Sequence, residues 1–280
     1  MKTIIDAIVT LVTRNNFALL NSHVSNNRVN SMGEALEIYV KNLFADTFDC
    51  SEQERLEKWS ETFSYAGNSN NPPDFMVKGG DAVEVKKIES NDAMLALNSS
   101  YPKNTLKSSN ALISNACREA ENWSEKDMLY VVGVVARNNL RHLCMVYGQD
   151  YCASDECYER IRQKIKDGVE TIDGVEFSHT KELGRVNRVD PLGITYLRVR
   201  GMWHIENPWR VFDYVYRRNF QATFNFMCIL SLDKWEQLEN SIKLIKLQEI
   251  YTKLKISDVK IKNPDNPCKL RKAKIIHYEI

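Results

Sequence analysis

The segment that decides the fold is NPPDFMVKGGDAVEVKK, residues 71–87. Two Pro residues lead into the short apolar run DFMV, and the Gly-Gly pair after it is typical of a tight hairpin turn. The following AVEVKKI alternates between apolar and charged positions, as a strand with one buried face does. The segment therefore predicts a β-hairpin whose second strand directs Val83 and Val85 into the core and Glu84 and Lys86 to the opposite face.

The polar face of this hairpin has the composition of a site for a divalent cation. Asp74 begins the first strand, and the turn can bring it within reach of the same ion as Glu84. Two carboxylates, completed by a phosphate oxygen and waters, suit Mg²⁺. Lys86 would then lie beside an attacking water. Because such an ion stabilises charge on a scissile phosphate, the trio predicts phosphodiester hydrolysis.

The spacing of the acidic residue and the lysine is weak evidence by itself. Asp258 and Lys260 repeat it in LKISDVKIKN. No Pro-Asp turn precedes that copy at hairpin distance, so we interpret it as a solvated strand face. An exposed ion pair would also explain Glu84 and Lys86. The Pro73-Asp74 turn, the Gly-Gly pair and the buried valines together favour the catalytic interpretation.

Away from the hairpin, the patterns indicate an α/β fold. Helices are predicted over residues 4–12, from Ser31 with Glu34 in a capping box, from Ser51 with Glu54 in another, and from 154. Strands are predicted over 128–135, 140–147, 195–205 and 221–230, the first of them apolar enough to be central. We therefore expect one domain, residues 1–280, in which helices flank a mixed β-sheet and the C-terminal half is elaborated.

Composition excludes several classes of protein. With 43% hydrophobic residues among 280, the chain can bury a large core and is not expected to be disordered. No apolar run approaches the length of a membrane span, so no membrane partner is expected. The 38 Lys and Arg residues balance 37 Asp and Glu residues. DNA binding must therefore rely on local patches and not on net charge.

The cysteines indicate a reducing compartment. Seven are present, an odd number without paired CxxC spacing, which suits free thiols in the cytoplasm of a bacterial-type cell. His142, Cys144, Cys152 and Cys157 raise the question of zinc. Their spacing does not match the short ligand pairs of structural zinc sites, so no zinc is expected.

Several stretches resemble a known family. Pro73-Asp74, nine intervening residues and Glu84-Val85-Lys86 are similar to the signature of the PD-(D/E)XK nuclease superfamily. More specifically, the chain resembles the NgoPII-like type II restriction endonucleases, most clearly from about residue 25 to 165. The stretches that carry this resemblance are GEALEIYVKNLF, FSYAGNSNNPPD, GDAVEVKKIES, ALNSSYPK and YGQDYCASDECY.

The resemblance implies a restriction-endonuclease-like core over about 25–165, with about 166–280 contributing DNA recognition or dimer contacts. It also implies a homodimer that uses Mg²⁺, for which Mn²⁺ can substitute, to cut a short palindrome in double-stranded DNA. The site would be G·C-rich, GGCC being that of the family's namesake. A companion methyltransferase is implied as well, though not as a physical partner. Superfamily members often place an acidic residue of the first core helix near the metal, which makes Glu37 a further catalytic candidate, with an exposed helical Glu as the alternative.

Two groups of residues are candidates for binding DNA. Hydroxyl, amide and ammonium groups follow the catalytic strand at Asn98, Ser99, Ser100, Tyr101 and Lys103. Arg198 and Arg200 share one face of a predicted strand, and arginine forks match guanine O6 and N7. An exposed ion pair would explain these arginines equally well. Lys87 points away from Lys86 and is assigned to phosphate contact or a structural role.

Two alternative functions remain open. A structure-selective nuclease, such as a junction resolvase, would share Asp74, Glu84 and Lys86 but require branched DNA. A DNA-binding protein without cleavage activity could keep the fold. All three catalytic positions are occupied by competent residues, which favours an enzyme.

Overall fold

The computed structural model describes residues 1–19, 28–68, 71–136 and 138–280, with the side chains of 28–32 excepted. The helices are α1 Ile4–Arg14, α2 Arg28–Ala45, α3 Glu52–Thr62, α4 Asn115–Glu119, α5 Gly148–Tyr151, α6 Asp155–Val169, α7 Pro208–Val211, α8 Leu232–Gln237 and α9 Ile242–Ile250. The strands are β1 Phe63–Tyr65, β2 Phe75–Val77, β3 Ala82–Ile88, β4 Leu95–Asn98, β5 Thr105–Lys107, β6 Glu125–Ala136, β7 Asn139–Tyr147, β8 Glu176–Phe177, β9 Gly184–Asn187, β10 Leu197–Val199, β11 Trp203–Ile205, β12 Asn225–Ser231, β13 Leu254–Asn263 and β14 Asn266–Glu279.

The central sheet is mixed, as predicted. Its strands follow the order β1-β2-β3-β6-β7-β12-β14-β13, and β5 also pairs with β6. The pairs β3 with β6 and β7 with β12 are parallel, whereas β2 with β3 and β6 with β7 are antiparallel. Because β12 and β14 belong to this sheet, part of the C-terminal half extends the same sheet that carries the predicted hairpin.

Each face of the sheet packs on its own hydrophobic layer. One layer joins α1 and α2 to side chains such as Val83, Val85 and Leu129. The other lies on the opposite face and includes Ala82, Tyr130 and residues of the segments after β3 and β7. Glu84 lies between Val83 and Val85 in the chain and therefore points to the second face. The predicted arrangement of helices around a mixed sheet is confirmed.

The predicted hairpin is formed by β2 and β3. Phe75 pairs with Val83, and the turn is closed by the N–H of Val77, which donates to Asp81 O at 2.9 Å. Gly79 has a φ of +68°, a conformation that other residues adopt only with strain. The backbone of this turn therefore requires a glycine at position 79.

Two local predictions need correction and a third is confirmed. Helix α2 already includes Arg28, so Ser31 does not begin it, and the side chain of Ser31 lies outside the described residues. The predicted strand over 195–205 is two strands in different sheets, since β10 pairs with β9 and β11 pairs with β4. The capping box at Ser51 is present, with Glu54 accepting from the Ser51 N–H at 2.8 Å.

The described residues include no helix long and apolar enough to cross a membrane. All seven cysteines fall within the described ranges, and none forms a disulfide there.

Candidate active site

Asp74 is held by the backbone of the partner strand. Its N–H donates to Val83 O at 3.0 Å, and its Oδ2 accepts from the N–H of Val85 at 2.6 Å. On the other side, the chain at Gly67 packs directly on the Asp74 carbonyl, where a Cβ would lie 1.9 Å from the oxygen. Gly67 also has a φ of +91°. These contacts leave the Asp74 carboxylate little freedom to move.

Glu84 and Lys86 point to the same face of β3, as predicted. The Lys86 Nζ lies 2.5 Å from Glu84 Oε1. The second oxygen, Glu84 Oε2, is buried and has no hydrogen-bond partner among the described residues. A buried carboxylate oxygen without a partner is costly, and a cation or a donor from a ligand would satisfy it.

The charges of the cluster perturb one another. Burial, together with the nearby Glu84 carboxylate, raises the pKa of Asp74 to about 8, and Glu37 acts in the same direction. Burial opposes ionisation of Lys86, but Glu84, Asp74 and Glu37 outweigh it and raise the pKa of that ammonium. Carboxylates therefore outnumber ammonium groups here, and the site favours an additional positive charge.

Glu37 extends the acidic cluster from α2. Its Oε1 lies 2.6 Å from Lys41 Nζ, and Lys41 also donates to the carbonyl of Ala66 at 3.0 Å. The pair therefore connects α2 to the loop that supports Asp74. The charge of Glu37 also contributes to the raised pKa values of Asp74 and Lys86.

The donor set fits a hard cation that keeps part of its hydration shell. No group of three or more His, Cys, Asp or Glu side chains in the described ranges is arranged to hold a metal ion. Asp74 and Glu84 supply two carboxylates, one with a free oxygen. Mg²⁺ is usually bound by one or two carboxylates together with waters and phosphate oxygens, so the pair is sufficient for it.

A cavity of about 850 Å³ opens over the cluster and collects most of the predicted DNA-binding residues. Its walls include Asp74, Glu84, Lys86, Asn98, Ser99, Ser100, Tyr101, Lys103, Arg198 and Arg200. The hairpin, the segment after β4 and strand β10 are far apart in the chain. The tertiary structure therefore brings the predicted catalytic and DNA-binding groups into one space.

The segment 98–103 presents its polar groups unevenly. Asn98 and Ser99 are exposed, whereas Tyr101 and Lys103 are buried. Tyr101 stacks on Tyr158, with ring centroids 5.5 Å apart. The Lys103 Nζ lies over the Tyr101 ring, 2.9 Å from its centroid, and has no hydrogen-bond partner in the described part of the chain. Asn98 and Ser99 are thus the most accessible to a ligand.

Arg198 and Arg200 both form hydrogen bonds with the carboxylate of Glu182, a contact that was not predicted. Arg198 donates from Nε and Nη2 to Glu182 at 2.9 and 2.8 Å, and Arg200 Nε donates to the same carboxylate. Both arginines remain more than half exposed. The ion pairs anticipated as the alternative interpretation are therefore present, and both guanidinium groups still face the cavity.

Two sequence comparisons identify relatives of this chain. The sequence model of the family described as NgoPII restriction endonuclease matches residues 2–262. A curated relative, the type II restriction enzyme NgoPII of Neisseria gonorrhoeae, is 54% identical over 278 residues, which cover 99% of each chain.

This chain belongs to the NgoPII restriction endonuclease family. The resemblance drawn from residues 25–165 is thereby confirmed, and it extends over the C-terminal part as well. No solved structure gives a significant match to this member of the NgoPII family.

Some residues of this NgoPII-family chain that line the cavity were missed by sequence reasoning. Tyr130 pairs with Glu84 across the parallel strands β3 and β6, and its hydroxyl accepts from the N–H of Lys103 at 2.7 Å. Arg162 and Glu182 come from α6 and from the segment before β9. Tyr130 lies in an apolar stretch and Glu182 in a polar one, so the sequence around each residue gave no indication that it would line a cavity.

Other candidates lie apart from the cavity of this NgoPII-family protein. Lys87 does not line it, and its Nζ lies 3.1 Å from Glu89. The repeated motif at Asp258 lies on β13, where the Asp258 side chain is 79% exposed and pairs with Lys274. His142 and Cys144 are buried in β7, whereas Cys157 is exposed on α6.

Proposed function

We propose that this member of the NgoPII restriction endonuclease family is a type II enzyme that cuts both strands of duplex DNA at a short, palindromic, G·C-rich site, with GGCC as the candidate sequence. The observation that carries the proposal is the unpartnered Glu84 Oε2, held beside Asp74 and Lys86 at the base of a cavity that also exposes two arginines.

Asp74 and Glu84 would hold Mg²⁺ or Mn²⁺, which supplies positive charge to the scissile phosphate. The Asp74 carboxylate is fixed by the N–H of Val85, so it offers a preorganised ligand. Lys86 lines the cavity, and its ammonium contacts the Glu84 carboxylate. It can donate a hydrogen bond to water or to a phosphate oxygen. Glu37 adds negative charge beside them and is assigned a supporting role.

Recognition is assigned to the cavity walls. Asn98 and Ser99 are exposed and offer amide and hydroxyl groups to phosphates or base edges, while Arg198 and Arg200 offer guanidinium forks. Because the arginines belong to the segment 166–280 and the carboxylates to 25–165, the second half of the chain would read the DNA that the first half cuts.

The protein would act as a homodimer in the cytoplasm. A single site of this kind handles one scissile phosphate. A two-fold axis would place a second copy of the site on the antiparallel strand, which matches the symmetry of a palindrome.

The test is digestion of supercoiled plasmid with Mg²⁺, followed by mapping of the cut ends. Wild type should give discrete fragments, and Glu84→Gln should give none while still binding duplex DNA. Asp258→Asn is a matched control, because it alters the same type of motif at an exposed position, and it should cut like wild type.

Other results would assign another function. Cutting confined to branched DNA would indicate a structure-selective nuclease, and binding without any cutting by wild type would indicate a non-cleaving DNA-binding protein. Full cutting by Glu84→Gln would show that the hairpin does not form the active site.

A further inference from the structure

Glu182 occupies the point between the two arginines of the cavity wall. Arg198 approaches it with both Nε and Nη2, and Arg200 with Nε. The backbone of the neighbouring Leu183 donates to Val199 O at 3.1 Å, which fixes the carboxylate beside the strand that carries the arginines. Glu182 is only 16% exposed, against 59% and 58% for the two arginines. The Glu182 side chain is therefore mostly covered by its neighbours, whereas both arginine side chains are more than half exposed.

The three side chains form a single electrostatic unit. Hydrogen bonds from Arg198, followed by those from Arg200, lower the pKa of Glu182 although burial opposes this. The carboxylate therefore stays ionised, and it cancels one of the two positive charges. All three residues line the cavity that holds Asp74 and Glu84.

We propose that Glu182 is a specificity-determining residue, which makes the two arginines favour the edge of a G·C base pair over a backbone phosphate. This inference rests on the proposed function and specifies how the site would be read. A phosphate offers only acceptors and negative charge, so the adjacent Glu182 carboxylate repels it and gains no hydrogen-bond donor from it. A G·C edge in the major groove offers O6 and N7 to a guanidinium and the cytosine amino group to a carboxylate.

A G·C edge can thus offer partners to the guanidinium groups and to the carboxylate, whereas a phosphate can offer them only to the guanidinium groups. Discrimination of this kind arises from a group that penalises the wrong ligand as well as from groups that attract the right one. The two arginines alone would bind any duplex through its phosphates.

The experiment compares Glu182→Gln with wild type by fluorescence anisotropy in Ca²⁺, on equal-length duplexes with and without a central GGCC. Glutamine keeps the size of the side chain and removes its charge. Affinity for the duplex without GGCC should rise about tenfold, as expected when about one to two phosphate contacts become available, and the slope of log affinity against log salt should steepen by about one to two. Affinity for the GGCC duplex should change less, so discrimination should fall.

The matched control is Glu176→Gln. Glu176, on β8, pairs with Arg188, which directly follows β9, with 3.7 Å between Oε2 and Nη1, but neither residue lines the cavity. This variant should match wild type on both duplexes. The triple variant Glu182→Gln/Arg198→Ala/Arg200→Ala should lose the gain in affinity, since the gain requires the released arginines.

Unchanged affinity of Glu182→Gln for the duplex without GGCC would overturn the inference, as would an equal gain in Glu176→Gln. Glu182→Ala should reproduce the gain and covers the case in which the glutamine variant misfolds. These readouts measure binding and not cutting. Failure of the proposed function would appear instead in wild type, as a lack of discrete fragments or of preference for GGCC.

Discussion

Replacing Lys103 with methionine should stabilise the protein. Lys103 is 2% exposed, and its ammonium has no hydrogen-bond partner among the described residues. Burial is the largest cause that lowers its pKa, from 10.5 to about 7, and the nearby Arg162 acts in the same direction. Asp155, Glu159 and Cys152 act in the opposite direction but do not outweigh burial. A lysine that is hard to ionise in the folded state reduces stability wherever the unfolded chain would carry the proton.

The sign and size of the effect follow from proton linkage. Between pH 7 and 10.5 the unfolded chain binds more protons than the folded protein, so wild-type stability should rise with pH across this range. At about 1.4 kcal/mol per pH unit, Lys103 costs roughly 4 kcal/mol at pH 7 and roughly 2 kcal/mol at pH 9. Below pH 7 both states are protonated, and the cost levels off at its full value.

The assay is urea denaturation of Lys103→Met and wild type at pH 7 and pH 9, at one fixed protein concentration. The free energy of unfolding should increase in the variant by up to about 4 kcal/mol at pH 7 and by about half as much at pH 9. Affinity for DNA should decrease, because Lys103 lines the cavity and a phosphate would provide the partner that its ammonium lacks.

Lys126→Met is the matched control. Lys126 is also buried, but its Nζ donates to Gly80 O at 2.7 Å and pairs with Glu121. Its removal leaves a carboxylate unpaired and should therefore destabilise the protein. If Lys103→Met unfolds more easily than wild type at pH 7, or if its effect is the same at both pH values, the assignment of a lowered pKa to a buried Lys103 is wrong.

Four further predictions concern the active site and assembly. Cleavage should require Mg²⁺ or Mn²⁺, and Ca²⁺ should support binding with little cutting, because it relaxes the tight geometry of a two-carboxylate site; full activity in excess chelator would contradict this. Gly67→Ala should reduce the free energy of unfolding by about 2 kcal/mol or more and impair cutting, because a Cβ would collide with the Asp74 carbonyl; thermal melting together with a cleavage assay measures both effects. Arg198→Ala or Arg200→Ala should each reduce discrimination between cognate and random duplexes about tenfold, and an equal loss on both duplexes would instead assign the arginines to phosphates. Light scattering on cognate DNA should show a dimer, and a 32.4 kDa species alone would exclude the two-fold arrangement.

Local patterns in the sequence were sufficient to predict the hairpin that carries Asp74, Glu84 and Lys86. The alternation in AVEVKKI places Val83 and Val85 in the core and leaves Glu84 and Lys86 on the other face, because successive side chains of a strand point to opposite sides. The Gly-Gly pair and the capping box at Ser51 are likewise decided within a few residues. The mixed sheet with flanking helices followed from the same kind of periodicity.

Predictions failed where chain segments that are distant in sequence determine the outcome. The stretch 195–205 reads as one strand, but β10 pairs with β9 and β11 with β4, so the neighbouring strands divide it. The misplaced start of α2 has a local cause instead, because a Ser and a Glu three residues apart resemble a cap even inside a helix.

The cavity beyond the hairpin was decided by tertiary structure. Sequence alone nominated Arg198, Arg200 and Lys103 but contained no sign that Glu182 would hold both arginines or that Lys103 would be buried without a partner. The physical reason is the range of the interactions. Strand alternation and capping depend on backbone geometry over a few residues, whereas ion pairing and exclusion of water depend on which distant segments the packed core brings together.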